Sequence, residues 1–253
     1  MTSQYSELTD AQWGSISEFF EWKRKRTMPI RSVVNAIVYL LRTGCQWRNL
    51  PPHFPKWWAV YYYFDKWNKD GTMDQVNLAL NQRDRKRENR AALPSQVCID
   101  SQRVKLAPMI FEHRGTDAHK RINGRKRQLV VDIGGRIFEV EVHAAHLHDG
   151  SEGKRLLPRI SAYSERLEKM LADQSYQGSF AVETEKIGLI FECASKPESV
   201  KGFVPIAQRW VVERTLAGTN FFRRIVKDYE HTLRSAKYWL IWANISIILN
   251  RIT

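Results

Sequence analysis

The chain has 253 residues, of which 43% are hydrophobic and 26% charged. That mixture supports a packed core, excludes global disorder, and suits one mid-sized domain with a smaller partner domain. Lys and Arg number 40 against 27 Asp and Glu, a formal charge of +13, which points to a polyanionic partner: nucleic acid first, an anionic membrane surface second. Cys45, Cys98 and Cys193 are scattered, odd in number and form no C-x-x-C pair. They argue against a disulfide framework or a cysteine zinc site, and for a cytosolic setting. The polar start lacks the basic segment of a signal peptide. The most apolar run, Trp239 to Leu249, contains Asn244 and is too short to span a bilayer, so it reads as a buried C-terminal helix.

Thr9 and Gln12 form a capping box, with Leu8 and Trp13 as its hydrophobic staple, and predict a first helix from Asp10 to Phe20. The basic stretch Lys23, Arg24, Lys25, Arg26 follows. A second helix starts near Pro29, with Ile30, Val33, Val34, Ile37, Leu40 and Leu41 at helical spacing and Gly44 as its C-cap. Three prolines make residues 49–55 a loop. Trp57, Val60, Tyr61, Phe64 and Trp67 then mark one face of a third helix, which Asp70-Gly71 ends. Helix, turn and helix with basic flanks resembles a helix-turn-helix DNA-binding module; an ordinary helical bundle is the alternative. Residues 83–90 carry Arg83, Arg85, Lys86, Arg87 and Arg90 with no apolar side chain. They read as a solvated helix end or a phosphate-contacting linker. The domain boundary falls here, with residues 1–90 helical and 91–253 a second domain.

Beyond Pro94 the period changes. Val97, Cys98 and Ile99 form a short strand ending in Asp100. Residues 127–133 and 137–142 make a hairpin across Gly134-Gly135. Asp132, Glu139 and Glu141 read as its solvated face or as support for a site. His143, His146 and His148 read as solvent-exposed histidines rather than metal ligands. Asp149 caps a helix, Lys169 to Ala172 is a fourth strand ending in Asp173, and Gly188 to Cys193 is a fifth. Two long helices, Ala207 to Val226 and Thr232 to Ile252, complete an α/β order of β-β-β-α-β-α-β-α-α. Asp100 and Asp173 at strand ends, with Glu213 inside the penultimate helix, can converge on one pocket. Such mutually repelling carboxylates suit hard divalent cations, and two ions can serve phosphoryl transfer. Lys120, Arg121, Arg125, Lys126 and Arg127 read as a phosphate-binding rim.

Longer blocks then carry a resemblance. They are Leu8-Thr9-Asp10-x-Gln12-Trp13, Asn35-Ala36-Ile37-x-Tyr39-x-Leu41-Arg42-Thr43-Gly44-Cys45-Gln46-Trp47-Arg48-x-Leu50-Pro51, and Asp70-Gly71-Thr72. Around the acids they are Ile99-Asp100-Ser101-Gln102-x-Val104-Lys105, Gly124-Arg125-Lys126-Arg127-x-Leu129-Val130-Val131-Asp132, Ala172-Asp173-x-x-Tyr176-x-Gly178, Arg209-Trp210-Val211-Val212-Glu213-Arg214-Thr215, and Phe222-Arg223-Arg224-x-x-Lys227-Asp228-Tyr229-Glu230. Over nearly its whole length the chain resembles a bacterial insertion-sequence transposase of the DDE type, in the IS5 family of the IS4-like superfamily. The resemblance implies a ribonuclease-H-like catalytic domain, a mixed five-stranded sheet with flanking helices, behind a helix-turn-helix-like N-terminal domain. It implies Asp100, Asp173 and Glu213 as a metal-binding triad for two Mg²⁺ ions, with Mn²⁺ able to substitute, and Arg209 beside them as part of a Tyr/Arg/Glu/Lys signature. The Tyr and Lys positions of that signature hold Ile206 and Asn220 here.

The implied activity is cleavage and strand transfer at the inverted-repeat ends of a mobile element, on double-stranded DNA, without a nucleotide cofactor or a membrane, by a homodimer or larger assembly in the bacterial cytoplasm on the nucleoid. Lys23 to Arg26, Arg48, Arg83, Arg85, Lys86, Arg87, the 120–127 cluster, Arg223 and Arg224 are the candidate DNA contacts. The alternatives are a ribonuclease-H-fold nuclease or resolvase without strand transfer, and a DNA-binding transposase derivative with weakened catalysis.

Overall fold

The computed structural model describes residues 6–20, 28–117, 121–163, 165–193 and 210–253. The chain opens with α1 (Asp10–Gly14), where Thr9 Oγ1 accepts from the Gln12 amide and Gln12 Oε1 accepts from the Thr9 amide, both at 3.1 Å. The helix expected to reach Phe20 stops at Gly14 and gives way to a single 3-10 turn, Ser17–Phe19. Ser15 Oγ donates back to the Ala11 carbonyl, the competition with backbone bonding that shortens such helices. In α2 (Ile30–Thr43) Val33, Val34, Ile37, Leu40 and Leu41 are fully buried. Gly44 closes the helix with φ of 68°, a left-handed conformation that a side chain would strain. Then come α3 (Trp57–Lys69) and α4 (Thr72–Arg87). The second of these takes in residues 83–87 of the basic stretch, which is a helix end and not a linker. Its inward positions Met73, Val76, Asn77, Leu80, Asn81, Asp84 and Arg85 keep helical spacing, but four of the seven are polar.

The sheet is built from β1 (Gln96–Lys105), β2 (Gly115–Asp117), β3 (Ile122–Asp132), β4 (Ile137–Ala144), β5 (Lys169–Ala172) and β6 (Ile190–Cys193). Between β4 and β5 lie α5 (Asp149–Gly153) and α6 (Leu157–Ile160); α7 (Ser179–Lys186) joins β5 to β6. The central order is β4-β3-β1-β5-β6, with β3 antiparallel to β1 and β4, and β1, β5 and β6 parallel. This is the ribonuclease-H-like arrangement, with short β2 added at the start of β3 as a sixth strand. The first strand does not end at Asp100. Pairing with β3 carries it to Lys105, whereas pairing with β5 stops at Cys98. His148, not Asp149, caps α5, its Nδ1 accepting from the Gly150 amide at 3.2 Å. The helix expected over 207–226 is broken in the described part into α8 (Trp210–Thr219) and α9 (Arg223–Val226), with Val226 exposed. Helix α10 (Leu233–Ile252) ends the fold. No helix among the described residues is long and apolar enough to cross a membrane.

One core joins α2, α3, α4, α8 and α10 to one face of the sheet through Cys98, Leu129, Val131, Val140 and Val142. The other face carries Val97, Ile99 and Val130 against α6 and α7. The N-terminal helices therefore share their core with the C-terminal helix, Phe64 stacking on Trp239 at 4.6 Å. A polar seam runs through this core. Asn244 Nδ2 donates to Asn77 Oδ1 at 2.6 Å and Asn81 Oδ1 at 3.0 Å, and its Oδ1 accepts from the Ile137 amide at 3.1 Å. Asn77 and Asn81 both donate to the Ile137 carbonyl. One turn further along α4, Asp84 takes Arg136 Nε at 2.9 Å, and fully buried Asp132 takes Arg136 Nη1 at 3.1 Å and Arg85 Nη1.

Replacing Asn244 by Ala orphans buried groups on two elements at once. Asn244→Ala is expected to lower unfolding free energy by about 1–3 kcal/mol for each buried group left unsatisfied, read by urea titration.

Candidate active site

Strand β1 outruns β5, so from Asp100 onward it has lost that neighbour and borders a notch. Asp100 shares its face of β1 with buried Cys98 and Val104, and its Oδ1 accepts from the Ser101 amide at 2.7 Å. Asp173 follows directly on β5 and caps the turn Gln174–Tyr176, its Oδ1 accepting from the Ser175 amide at 2.8 Å and from Ser175 Oγ. Glu213 stands in the first turn of α8 and is exposed, because Val211, Val212, Thr215 and Leu216 take the core-facing positions. The three carboxylates line one open cleft of about 450 Å³ together with Gln102, Arg103, Ile122 and Asn220.

Tyr176 is fully buried beneath this cleft. Burial first, then the charges of Asp149, Asp100 and Asp173, raise its hydroxyl well above the ordinary tyrosine pKa, so it stays protonated. Arg103 Nε donates to Asp117 Oδ2 at 2.6 Å. Burial works against the guanidinium charge, but the hydrogen bond and charge of Asp117, then the charges of Asp149 and Asp100, outweigh it and raise the pKa.

The donors offered by the triad are all carboxylate oxygens, the chemistry that Mg²⁺ or Mn²⁺ prefers. Among the described residues no group of three or more His, Cys, Asp or Glu side chains is gathered closely enough to hold a metal ion. The cleft fits a divalent cation in donor type and openness, with the carboxylates spread around its walls.

Several residues expected on the DNA surface are interior. Arg125 is fully buried against Asp228 at 3.2 Å and the Glu230 carbonyl at 2.7 Å. Lys126 is spent on Asp149 at 3.2 Å and on the Leu147 carbonyl, and Arg127 on the Ile225 carbonyl at 2.5 Å. Arg85 is buried in the seam with Asp132, and Arg224 holds Glu230 at 2.6 Å. These five have no face to offer a phosphate. Arg48, Arg83, Lys86, Arg87, Arg121 and Arg223 are exposed; of these, Arg83 is paired with Glu18 at 2.6 Å and Arg87 with Asp84 at 3.3 Å. Lys23, Arg24, Lys25, Arg26, Lys120 and Arg209 lie outside the described residues.

The hairpin acids and one histidine also differ from expectation. Asp132 is fully buried, and Glu139 is buried against Arg159 at 3.0 Å and Tyr163. His143 is buried, its Nε2 3.0 Å from Gln128 Nε2, and burial pulls its pKa down, which keeps it neutral. Asn220, which holds the Lys position of the signature, lines the cleft; sequence reasoning missed Gln102 and Arg103. The overrun of β1, which brings these two there, shows only in the pairing with β3.

Two family models match the chain. Residues 8–77 match one described as a putative transposase of the IS4/5 family, and residues 91–187 match one described as a transposase DDE domain. The second takes in Asp100 and Asp173; Glu213 lies beyond its end. No curated protein matches. Similar solved structures include the Mos1 transposase paired-end complex with left transposon end (10% identity, TM-score 0.32, covering 92% of this chain and 80% of that one). They also include the Mos1 strand transfer complex (10%, 0.33, 93% and 81%) and the Mos1 mariner paired-end complex with Mn (12%, 0.32, 95% and 82%).

Interior and surface cations are expected to separate cleanly on mutation. Arg125→Ala leaves Asp228 buried without its closest cation and should cost about 3–5 kcal/mol, whereas Arg48→Ala and Arg121→Ala should each stay within about 0.5 kcal/mol, all by thermal melting.

Proposed function

We propose that this chain is a DDE transposase that cuts and rejoins DNA at the ends of a mobile element. The observation that carries the reading is one open cleft lined by Asp100, Asp173 and Glu213, with two of these acids inside the segment that matches a transposase DDE domain. The IS5 family, the strand-transfer chemistry and the bacterial cytoplasmic setting are the finer parts of the proposal.

Asp100, Asp173 and Glu213 would hold two Mg²⁺ ions, with Mn²⁺ able to substitute. Such ions supply charge neutralisation and polarise phosphodiester oxygens. The side chains themselves divide the work. Ser175 ties down one oxygen of Asp173, which leaves the other for the cleft. Buried Tyr176 stays protonated and so adds no charge near the acids. Helix α8 holds Glu213 over the notch by burying Val211, Val212 and Leu216 behind it. Arg209, four residues before Glu213 in the sequence, would supply a guanidinium to a phosphate. The overall reaction frees a 3′-hydroxyl by hydrolysis at the element end and joins it to target DNA by transesterification. Each joining step exchanges one phosphodiester for another, so no nucleotide cofactor is needed. Two ends must be joined together, which calls for a dimer or larger assembly on DNA.

Residues 1–90 would bind the element ends, with Arg48 and Lys86 as exposed phosphate contacts and Arg121 and Arg223 adding two from the rest of the chain. Because these helices share a core with α10, binding belongs to the full chain and not to a detached fragment.

The test uses full-length protein and duplexes carrying the DNA that flanks the gene. Asp100→Asn, Asp173→Asn and Glu213→Gln should each bring cleavage in Mg²⁺ below detection while end binding and melting stay near wild type. Near-normal cleavage by any one variant removes that residue from the triad. Pre-cut ends should be joined to target DNA by the wild type; cutting without joining would leave a nuclease. Binding should weaken steeply with salt, in proportion to the phosphates contacted.

A further inference from the structure

Among the described residues, Arg103 is the one cationic side chain that lines the triad cleft. It sits on β1 three residues past Asp100, on the opposite face of the strand, where β1 has lost its β5 neighbour and both residues line the cleft. Its side chain is 19% exposed, which is neither a surface arginine waving in solvent nor a sealed one.

The anchoring is one-sided. Nε donates to Asp117 Oδ2 at 2.6 Å, and Asp117 is buried on β2. Nη2 stands 3.9 Å from Asp149 Oδ2, beyond hydrogen-bond reach. Among the described residues neither terminal nitrogen has a hydrogen-bond partner, so four of the five donors of the guanidinium remain. Asp117 does not depend on Arg103 alone, because Lys126 Nζ lies 3.8 Å from the same Oδ2 and also pairs with Asp149 at 3.2 Å. A purely structural pair would need one donor and one charge. This arrangement instead fixes the stem and leaves the terminal nitrogens in a cleft whose lining also includes the three carboxylates, where an incoming polyanion meets repulsion.

We propose that Arg103 is a phosphate clamp that contacts the DNA strand in the cleft beside Asp100 and holds it in register for cleavage. The inference rests on the transposase reading and names one of its substrate contacts. The anchor at Asp117 sets the requirement for arginine. A lysine can keep the ion pair with Asp117 but cannot grip a phosphate with the same side chain at the same time.

The experiment compares wild type, Arg103→Lys and Arg103→Met, all full length, on a duplex carrying the terminal DNA that flanks the gene. Single-turnover cleavage at saturating DNA, melting temperature, and the slope of log affinity against log salt are measured. Arg103→Lys should melt like wild type yet cleave about tenfold or more slowly. Arg103→Met should flatten the salt slope by about 0.9, the value of one lost phosphate contact. Both effects are required. Wild-type cleavage by the Lys variant, an unchanged salt slope for the Met variant, or a rate loss that follows a lowered melting temperature would each overturn the clamp. If wild-type protein and Asp100→Asn are equally inert on the duplex, the transposase reading fails instead, and the salt slope still reports on Arg103.

Discussion

A carboxylate with no access to water must be given its full set of partners or it unfolds its surroundings. Asp132 is in that position at the end of β3, and the rest of the fold is arranged around meeting its needs. Its Oδ1 accepts from the Gly134 and Arg136 amides, which closes the tight turn into β4. Its Oδ2 takes Arg136 and Arg85, and Arg136 reaches on to Asp84 and Glu88. The hairpin tip is thereby fastened to the last two turns of α4. The same helix, one turn earlier, is fastened through Asn77 and Asn81 to Ile137 and to Asn244 on α10. The first ninety residues and the last twenty are thus held against the same edge of the sheet by directional bonds, where apolar contacts alone would let helices slide.

The same accounting changes the meaning of the net charge. A formal +13 suggests a broad basic surface. Much of that basic content is internal: Arg85, Arg125, Lys126, Arg127, Arg136 and Arg224 are all buried, each with a carboxylate or backbone carbonyl in reach. The run Arg125-Lys126-Arg127 is the sharpest case. Its members alternate across β3, so two point to the Asp228 side and one to the Asp149 side, and acids wait on both. Composition counts a paired cation and a free one alike, which is why the run read as a phosphate-binding rim.

What the sequence disclosed follows from where its signals are local. Helix α2 was legible because apolar spacing and a left-handed glycine are both written within fifteen residues. Helix α4 was not, because Asn77, Asn81, Asp84 and Arg85 occupy positions where periodicity looks for apolar side chains. The β3–β4 hairpin announced itself through alternation and Gly134-Gly135, yet the burial of Asp132, Glu139 and His143 depends on α4, α6 and the 161–163 turn closing over it. The blocks around Asp100, Asp173 and Glu213 could be read directly. The overrun of β1 could not, since a strand's length is set by the partner it finds, and Gly124 lies nineteen residues beyond Lys105.

That overrun is also what makes a cleft possible. The parallel register that pairs Cys98 with Leu171 brings Asp100 level with Asp173, where two carboxylates repel. Because β5 stops at Ala172 while β1 continues under the protection of β3, the two acids border a notch open to water, where repulsion is screened. Helix α8 then roofs the notch in one rotational setting only. Val211, Val212, Thr215 and Leu216 are buried while Glu213 and Ala217 point outward. A rotation by one residue, about 100° on a helix with 3.6 residues per turn, would turn Glu213 away from Asp100 and Asp173 and bring Val212 out of the core. The apolar stripe of α8 therefore sets where its one carboxylate stands, and the notch of unequal strands sets what that carboxylate faces.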